Sequence, residues 1–395
     1  MEKESTRKPK LRFSGFSESW KKTTLGELLT FKNGLNAGKE DYGDGEKFIN
    51  VLDIIQNNFI THDKIIGSVK ASEKNKELYK VEYGDVLFQR SSETREEVGQ
   101  ANVYLDREKP ALFGGFVIRG KKKSDYDPIF INHLLKTPLS RQEITSKSGG
   151  STRYNVGQET LSSVEITIAT LPEQQKIASF LSAVDERIEL LERKKEKLEA
   201  YKKGVMQQIF PSTGSGQAPQ IRFKQDDGSD FPDWEEKRLG EVLKIGSGKD
   251  YKHLGNGDIP VFGTGGLMTY VDDFIYEGES VGIGRKGTID KPMFLTGKFW
   301  TVDTLFYTHS FKQIVPRFVY LVFQTINWKA HNEASGVPSL SKTTIEKLKI
   351  MLPSTNEQLK IVAFTEEIQN SISNLDSQIQ GLRNWKKGLL QQMFV

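Results

Sequence analysis

The sequence contains no cysteine among its 395 residues. This absence excludes disulfides, thiolate zinc sites, iron–sulfur clusters and a cysteine nucleophile. The five histidines are scattered, without the H-x-x-x-H spacing or the neighbouring carboxylates of a metal site; they stand at positions 62, 133, 253, 309 and 331. We therefore predict that the chain holds no metal ion.

The sequence also lacks long apolar runs and a large excess of charge. No stretch approaches 18 uncharged apolar residues, and the opening MEKESTRKPK has no apolar signal core, so we expect a cytoplasmic protein. The net charge is +4 and the pI about 8.8, so an acidic polymer would have to be met by local basic patches. A hydrophobic fraction of 36% with 23 Phe predicts a folded chain of two or three domains.

Familiar catalytic motifs are missing as well, including G-x-x-x-x-G-K-[ST] and G-x-S-x-G. Gly282 to Gly287 fits G-x-G-x-x-G, but the turn-like residues 288–292 follow where a nucleotide site requires a helix, which favours a loop exposing Arg285 and Lys286. Residues 127–130, DPIF, resemble only weakly the D-P-P-[YF] element of adenine methyltransferases and predict a helix start. The sequence therefore predicts a non-enzymatic protein.

What the sequence does have is an internal repeat. Trp20 and Trp234 each open a W-x-x-x-x-L-G-E motif preceded by P-x-[LI]-R-F, and they stand 214 positions apart. Glu173 to Phe210 aligns without a gap to Glu357 to Phe394 at an offset of 184, with 14 identities in 38 positions. The middle of the first repeat is therefore 30 residues longer than that of the second. The two repeats have matching ends but different central regions, which predicts two modules that recognise different things. In a purely structural repeat array the central regions would be alike.

Each repeat ends in a run with apolar residues at steps of four and three, which is typical of a coiled-coil seam. The first seam is Ile177, Leu181, Val184, Ile188, Leu191 and Leu198, interrupted by Lys195, and the second is Ile361, Thr365, Ile368, Ile372, Leu375, Ile379 and Leu382. Roughly 36 residues predict a helix about 54 Å long. A pseudo-two-fold axis would make the two helices antiparallel, with one module at each end. The seams could instead be ordinary core faces or pair with another chain.

The middles of the repeats are predicted to be mixed α/β modules with aromatic cores. The expected strands are 47–55, 85–89, 112–119 and 164–168 in the first module and 259–262, 280–283, 299–304 and 348–352 in the second, with helices at 129–135 and 317–325. Between the repeats, PSTGSGQAP at 211–219 is predicted to be a flexible linker, although it could equally have been introduced between two natural repeats.

Polar loops with Arg and aromatic residues follow strands at similar places in both modules. Arg, Ser and Lys on such loops are usual donors to phosphates and base edges, although any of them could simply be a solvated loop residue. The predicted DNA-binding residues are Arg90, Ser91, Arg95, Lys121, Arg153 and Tyr154 in the first module and Lys252, Arg285, Lys286 and Ser339 in the second. Lys121 is predicted to make a sequence-neutral phosphate contact.

Several motifs stand out in the two repeats: both W-x-x-x-x-L-G-E openings, GDVLF at 84–88, GDIPVFGTGG at 257–266, WTVDTLF at 300–306, LPEQQKI at 171–177 and both K-K-G-x-x-Q-Q-x-F endings. With these motifs the sequence resembles the specificity subunit of type I restriction-modification enzymes. The resemblance covers nearly the whole chain. The proline-bracketed linker departs from the family pattern.

The resemblance implies two target recognition domains joined by two long antiparallel coiled-coil helices, in a mixed α/β fold with an internal pseudo-two-fold repeat. The implied boundaries are 1–172 and 220–356 for the recognition domains, 173–210 and 357–395 for the helices, and 211–219 for the linker. It further implies that the chain binds a bipartite, asymmetric site on double-stranded DNA and that the two helices fix the gap between its halves.

The implied partners are two modification subunits, which bind S-adenosylmethionine and methylate adenine, and restriction subunits, which use ATP and Mg²⁺. No cofactor is expected in this chain. Two other interpretations stay open. A self-sufficient methyltransferase or nuclease predicts activity from the purified chain alone. A coiled-coil adaptor without a DNA role predicts no salt-dependent affinity for DNA.

Overall fold

A computed structural model describes residues 8–210 and 219–395 of the chain. The predicted linker, apart from Pro219, lies outside these described residues. The chain forms two compact units: unit 1 contains the residues up to Leu191 together with Gln378–Val395, and unit 2 contains Glu192–Ser377. No helix in the described ranges is long and apolar enough to cross a membrane.

Unit 1 is built on a four-stranded antiparallel sheet of order β2-β9-β5-β7 and a three-stranded sheet of order β4-β3-β8, in which β3 and β8 are parallel. Its strands are β1 Lys21–Thr24, β2 Leu29–Asn33, β3 Tyr42–Ile49, β4 Ser68–Val69, β5 Val86–Gln89, β6 Ser91–Ser92, β7 Ala101–Val103, β8 Leu112–Phe113, β9 Val117–Lys122, β10 Tyr154–Asn155 and β11 Glu165–Ile168. Its short helices are α1 Leu25–Leu28, α2 Val51–Gln56, α3 Glu73–Leu78, α4 Pro128–Leu135, α5 Pro138–Ser146 and α6 Gln158–Ser162.

Unit 2 repeats this plan with a sheet of order β13-β20-β17-β18 and a second sheet of order β15-β14-β19-β16, in which β14 and β19 are parallel. Its strands are β12 Glu235–Arg238, β13 Lys244–Ser247, β14 Ile259–Gly263, β15 Gly266–Val271, β16 Tyr276–Glu277, β17 Ser280–Gly284, β18 Met293–Leu295, β19 Lys298–Thr301, β20 Leu305–His309 and β21 Lys349–Leu352. Its short helices are α8 Leu239–Val242, α9 Pro316–Thr325 and α10 Lys342–Lys347.

Two 39-residue helices follow the modules in sequence, α7 Leu171–Ile209 and α11 Thr355–Met393. They are antiparallel: in unit 2, Lys195 Nζ donates to Asp376 Oδ1 (2.6 Å) and Lys202 Nζ to Gln369 Oε1 (2.7 Å), so a step forward along α7 is a step back along α11. The predicted seam residues are buried on both helices, apart from half-buried Leu198 and Leu382. The predicted coiled-coil architecture is confirmed.

The repeated Trp packs in the same surroundings in each unit. In unit 1, the rings of Trp20 and Phe130 on α4 are 5.6 Å apart, and Phe130 lies 5.2 Å from Phe394 near the end of α11. In unit 2, Trp234 lies 6.3 Å from Phe318 on α9, and Phe318 lies 5.4 Å from Phe210 after α7. Each K-K-G-x-x-Q-Q-x-F ending therefore supplies its Phe to the aromatic core of the module from the other repeat.

A buried carboxylate joins the two front motifs to the start of each long helix. Glu173 is 1% exposed and accepts from Arg12 Nε (2.6 Å) and Nη2 (2.7 Å) and from Trp20 Nε1 (3.2 Å). This carboxylate raises the pKa of Arg12 by hydrogen bonding and charge. The bidentate contact and the indole N–H together satisfy a charge that would be costly to bury alone.

The same cluster recurs in unit 2 around Glu357, which is fully buried. Its carboxylate accepts from Arg222 Nε (3.3 Å), Arg222 Nη2 (2.9 Å) and Trp234 Nε1 (3.1 Å). The Arg of P-x-[LI]-R-F, the Trp of the opening motif and the Glu of E-Q-x-K-I thus form one structural cluster in each repeat. The motifs that the two repeats share therefore build the structural frame of each unit, by which we mean the buried cluster and the backbone hydrogen bonds common to both units.

The structure corrects three predicted strands and confirms the two predicted helices. The run 299–304 is a strand only to Thr301, because the chain turns at Val302–Leu305. The run 47–55 is a strand only to Ile49, because α2 starts after Asn50, whose N–H donates to the Asp53 carboxylate (2.7 Å) in the first turn of the helix. The run 112–119 is broken into β8 and β9 by a turn at Gly114–Val117. The helix predicted from 129 begins at Pro128, and the Asp127 carboxylate caps it by accepting from Ile129 N and Phe130 N.

Candidate nucleic-acid interface

In unit 1, an exposed arginine directly follows the central strand β5. The Arg90 N–H donates to the carbonyl of Phe116 (2.9 Å), and its Nη1 donates to the carbonyl of Gly115 (3.3 Å) in the turn between β8 and β9. Its own carbonyl accepts from Val156 N (3.0 Å), just after β10. A guanidinium has five N–H donors and this anchor uses one, so Arg90 can still make a bidentate contact with a base or a phosphate.

Unit 2 presents an arginine with the same connections after β17. The Arg285 N–H donates to the carbonyl of Thr304 (2.7 Å), its Nη1 to the carbonyl of Asp303 (3.3 Å), and its carbonyl accepts from Leu340 N (2.9 Å). Both arginines are exposed. Arg285 is therefore the structural counterpart of Arg90, and the two strand-end loops occupy equivalent places in their units.

The residue after each arginine pairs with a second loop of its own unit. In unit 1, Ser91 on β6 pairs with Asn155 on β10. In unit 2, Lys286 forms an isolated bridge with Ser339. The backbone frame is shared, but unit 1 presents Ser and Asn where unit 2 presents Lys and Ser, and this difference gives the two surfaces different donors and acceptors.

In unit 2, three predicted residues meet in one open cleft. Arg285, Lys286 and Ser339 line a cleft of about 430 Å³ together with Lys342 and Glu333. Ser341 Oγ donates to Glu333 (2.8 Å), and hydrogen bonds from Thr344 and Ser341 lower the pKa of the Glu333 carboxyl. Three cations around one carboxylate leave the cleft net positive, which suits a phosphate or the acceptor edge of a base.

The other predicted residues of unit 1 lie on two neighbouring loops. Arg95 is exposed, and its Nε and Nη2 donate to the carbonyls of Thr145 and Ser146 (both 3.1 Å) at the end of α5. These bonds suit the negative end of the helix and hold the Arg95 loop in place. Tyr154 is half-buried against the core and pairs with Ser92, whereas Arg153 beside it is exposed.

Two predicted lysines lie apart from these groups. Lys121 stands four residues along β9 from Val117, the register partner of Gln89, which is about 13 Å of strand. It forms an ion pair with Glu82 (3.4 Å). Lys252 is exposed in the segment between β13 and β14 and is not among the residues that line the cleft of unit 2.

Sequence reasoning missed two residues of these surfaces. Lys342 lines the cleft of unit 2, and its Nζ lies 5.9 Å from the ring centre of Phe306. The sequence feature that could have identified it is its position three residues after Ser339. Phe116 lies in the turn that anchors Arg90 and is 67% exposed. Its signal was the preceding pair of glycines, which mark a turn inside an apparently continuous strand.

A comparison with known protein families gives one matching family model. The model described as "Type I restriction modification DNA specificity domain" matches residues 17–200 and 232–382, which together make up more than half of the chain. The two matched segments correspond to the two repeats. Each includes one of the anchored arginines.

Curated relatives of similar sequence are named specificity subunits of type I restriction enzymes. The type I restriction enzyme MjaIX specificity subunit of Methanocaldococcus jannaschii is 32% identical over 31% of this chain, a match that spans 28% of that relative's length. The putative type I restriction enzyme MjaX specificity subunit of the same organism is 24% identical over 94% of this chain and 92% of its own length. The second match extends over both repeats.

A solved structure has the same fold. The crystal structure of the type I restriction-modification system S subunit from M. genitalium superposes with a TM-score of 0.63 at 18% identity, covering 98% of this chain and 99% of that one. At this identity the likeness concerns the fold.

Proposed function

Because this chain belongs to the family of the type I restriction-modification DNA specificity domain, we propose that it is a specificity subunit that reads a bipartite site on double-stranded DNA. The observation that carries the proposal is the matched pair of arginines, Arg90 and Arg285. Each follows an inner strand of the four-stranded sheet in its unit, and each donates to two carbonyls at equivalent positions of a neighbouring turn. One scaffold thus presents the same anchored donor twice, with different neighbours.

The chemistry of these groups fits reading of base edges. An Arg held at its backbone and at one Nη atom loses little further freedom on binding, and Arg is the commonest side chain for bidentate recognition of guanine. The neighbouring residues differ between the units, with Ser91 and Asn155 in one and Lys286 and Ser339 in the other. Different donor sets predict different half-site sequences, so the whole site is asymmetric.

The division of labour is part of the proposal. We assign no catalytic step to this chain; two modification subunits would bind S-adenosylmethionine and methylate adenine, and restriction subunits would use ATP and Mg²⁺ for cleavage. A methyltransferase takes its target base out of the stack into a pocket of its own. The cleft of unit 2 is open and lined by polar loops, which suits contact with the DNA surface.

The test is to co-express this chain with a modification subunit and to map N6-methyladenine across the host genome. We expect methylation of one two-part motif with a fixed gap, only when this chain is present. Exchanging residues 35–148 for those of a relative should change one part of the motif and leave the other intact. Methylation of no bipartite motif, or an unchanged motif after the exchange, would contradict the proposal. Methylation by the purified chain alone would contradict the division of labour.

A further inference from the structure

An exposed aromatic side chain stands beside the anchored arginine of unit 1. Phe116 is 67% exposed, although its chain neighbours on either side of the turn, Phe113 and Val117, are fully buried. The Val117 N–H donates to the carbonyl of Gly114 (2.8 Å), which closes a β-turn with Phe116 at its third position. A phenyl ring at the tip of a turn gives up the stabilisation that burial would provide.

The turn is held firmly from behind. A Cβ at Gly115 would lie 1.9 Å from Asn36 Oδ1, so the Asn36 side chain already fills the space next to the turn. The carbonyls of Gly115 and Phe116 both accept hydrogen bonds from Arg90. Because the backbone is bonded on this side and packed on the other, the ring of Phe116 is presented from a fixed base.

The counterpart in unit 2 shows that the turn itself does not require an aromatic residue. There, Leu305 N donates to the carbonyl of Val302 (2.9 Å), and Thr304 occupies the place of Phe116 as the acceptor of the Arg285 N–H. The hydrogen bonds are the same in both units, whereas Gly115 and Phe116 are replaced by Asp303 and Thr304. The turn therefore does not require the phenyl ring for its own hydrogen bonds.

A phenyl ring at this position offers a kind of DNA contact that a smaller side chain cannot make. A contact with a thymine methyl group needs only a small apolar group, such as the one that Thr304 carries. A phenyl ring adds two flat faces, which stack on bases or enter between them. The neighbouring guanidinium of Arg90 supplies the charge that holds an adjacent phosphate or base edge.

We propose that Phe116 inserts into the base stack of the half-site read by unit 1, and that unit 2 reads its half-site without such a wedge. This inference rests on the proposed DNA-specificity function. Pyrimidine–purine steps are the easiest to unstack, so the step next to Phe116 is expected to be TA, CA or TG. Recognition in this half would then depend partly on how easily the DNA deforms.

The experiment uses the complete complex with its modification subunits and a duplex bearing the mapped motif. The half read by unit 1 is the one whose sequence preference changes in Arg90→Ala. 2-Aminopurine replaces, one at a time, each adenine of that half on either strand except the target adenine, so that the motif is kept, and its fluorescence is recorded with and without protein. The wild-type complex should brighten one position several-fold. Phe116→Ala should abolish the signal and weaken binding about ten-fold, whereas Phe116→Leu should retain most of both.

Matched variants separate stacking from general effects. Ile66→Ala removes another exposed apolar side chain of unit 1, which is 90% exposed, and should change neither fluorescence nor affinity. Thr304→Phe should create a bright position in the other half. 2-Aminopurine at the target adenine, which the modification subunit extrudes, should brighten equally with wild type and Phe116→Ala.

Three results would overturn the inference. The first is a complex that binds its motif but brightens no position outside the target. The second is a signal that survives in Phe116→Ala. The third is a loss of affinity that replacing one thymine by uracil reproduces, which would make Phe116 a methyl contact. Failure of the wild-type complex to bind any mapped motif would instead contradict the proposed function.

Discussion

Units 1 and 2 share their frame down to single hydrogen bonds, yet they differ at the surfaces that the frame presents. The buried clusters around Glu173 and Glu357 have the same three donors, and Arg90 and Arg285 have the same anchors. The tip beside the arginine is Phe116 in one unit and Thr304 in the other. Duplication has kept the bonds that position the arginines, whereas it has not kept the residues around them.

The two units also differ at one position on the helix that packs against the long helices, which is α4 in unit 1 and α9 in unit 2. In unit 1, His133 on α4 is buried, its Nε2 lies 3.8 Å from Asp185 Oδ2, and Lys386 donates to the other carboxylate oxygen. In unit 2, the residue at the same place on α9 is Leu321. The same packing position therefore accommodates either a histidine beside the Lys386–Asp185 ion pair or the apolar Leu321.

The largest expected effect comes from breaking the shared frame. Glu173→Ala leaves the Arg12 guanidinium partly buried without its bidentate acceptor, and we expect a loss of about 3–5 kcal/mol in the stability of unit 1. Glu357→Ala should do the same to unit 2. Hydrogen–deuterium exchange on peptides of each unit measures the loss. Glu186→Ala, an exposed site on α7, should cost less than about 0.5 kcal/mol. Equal protection in wild type and Glu173→Ala would show that the cluster does not hold unit 1 together.

The second prediction concerns the matched arginines. Arg90→Ala should relax the sequence preference in one half of the DNA motif and Arg285→Ala in the other, each with a loss of about 1–3 kcal/mol in binding of that half. Affinities of the complex for duplexes substituted in one half at a time measure the effect. Arg187→Ala on the exposed face of α7 is the control, with both halves unchanged. A variant that weakens every sequence equally would mark its arginine as a phosphate contact only.

The buried clusters could be identified from the sequence alone, whereas the surface around Arg90 could not. The Arg, Trp and Glu of the buried clusters all stand in motifs that the repeat makes visible, and the seam follows from apolar spacing. Phe116 could not be found in this way, because the largely apolar run from 112 to 119 predicts one strand, whereas the chain turns at Gly114–Val117. The anchor of Arg90 joins segments far apart in sequence, so only the strand register reveals it.

A smaller effect is expected on stability: unit 1 should lose stability at acidic pH through a group that unit 2 lacks at the equivalent position. Burial, and then the charges of Lys386 and Lys136, lower the pKa of His133 from 6.5 to about 3. At mildly acidic pH the imidazole is therefore neutral in the folded unit but protonated in the unfolded chain. Its contribution to stability is complete above about pH 6.5 and is lost as the pH falls towards 3. Between pH 7 and 5.5 the loss should be about 1 kcal/mol.

Exchanging the two side chains tests this assignment. His133→Leu should remove that part of the acid sensitivity from unit 1, and Leu321→His should introduce it into unit 2. Exchange protection of α4 and α9 at the two pH values, corrected for intrinsic rates, measures both. An unchanged pH dependence in His133→Leu would place the acid-sensitive group elsewhere.

The smallest expected effect belongs to Lys121, which stands away from Arg90 along β9 and is partly compensated by Glu82. If it meets DNA as predicted, it should touch a phosphate, because Arg90, which we propose reads bases, lies at the other end of the strand. Lys121→Ala should then weaken binding equally for all sequences, and the dependence of log affinity on log salt should become shallower by about 1. Lys74→Ala, an exposed lysine on α3, should leave the slope unchanged. A sequence-dependent loss in Lys121→Ala would contradict the assignment and extend the reading surface along β9.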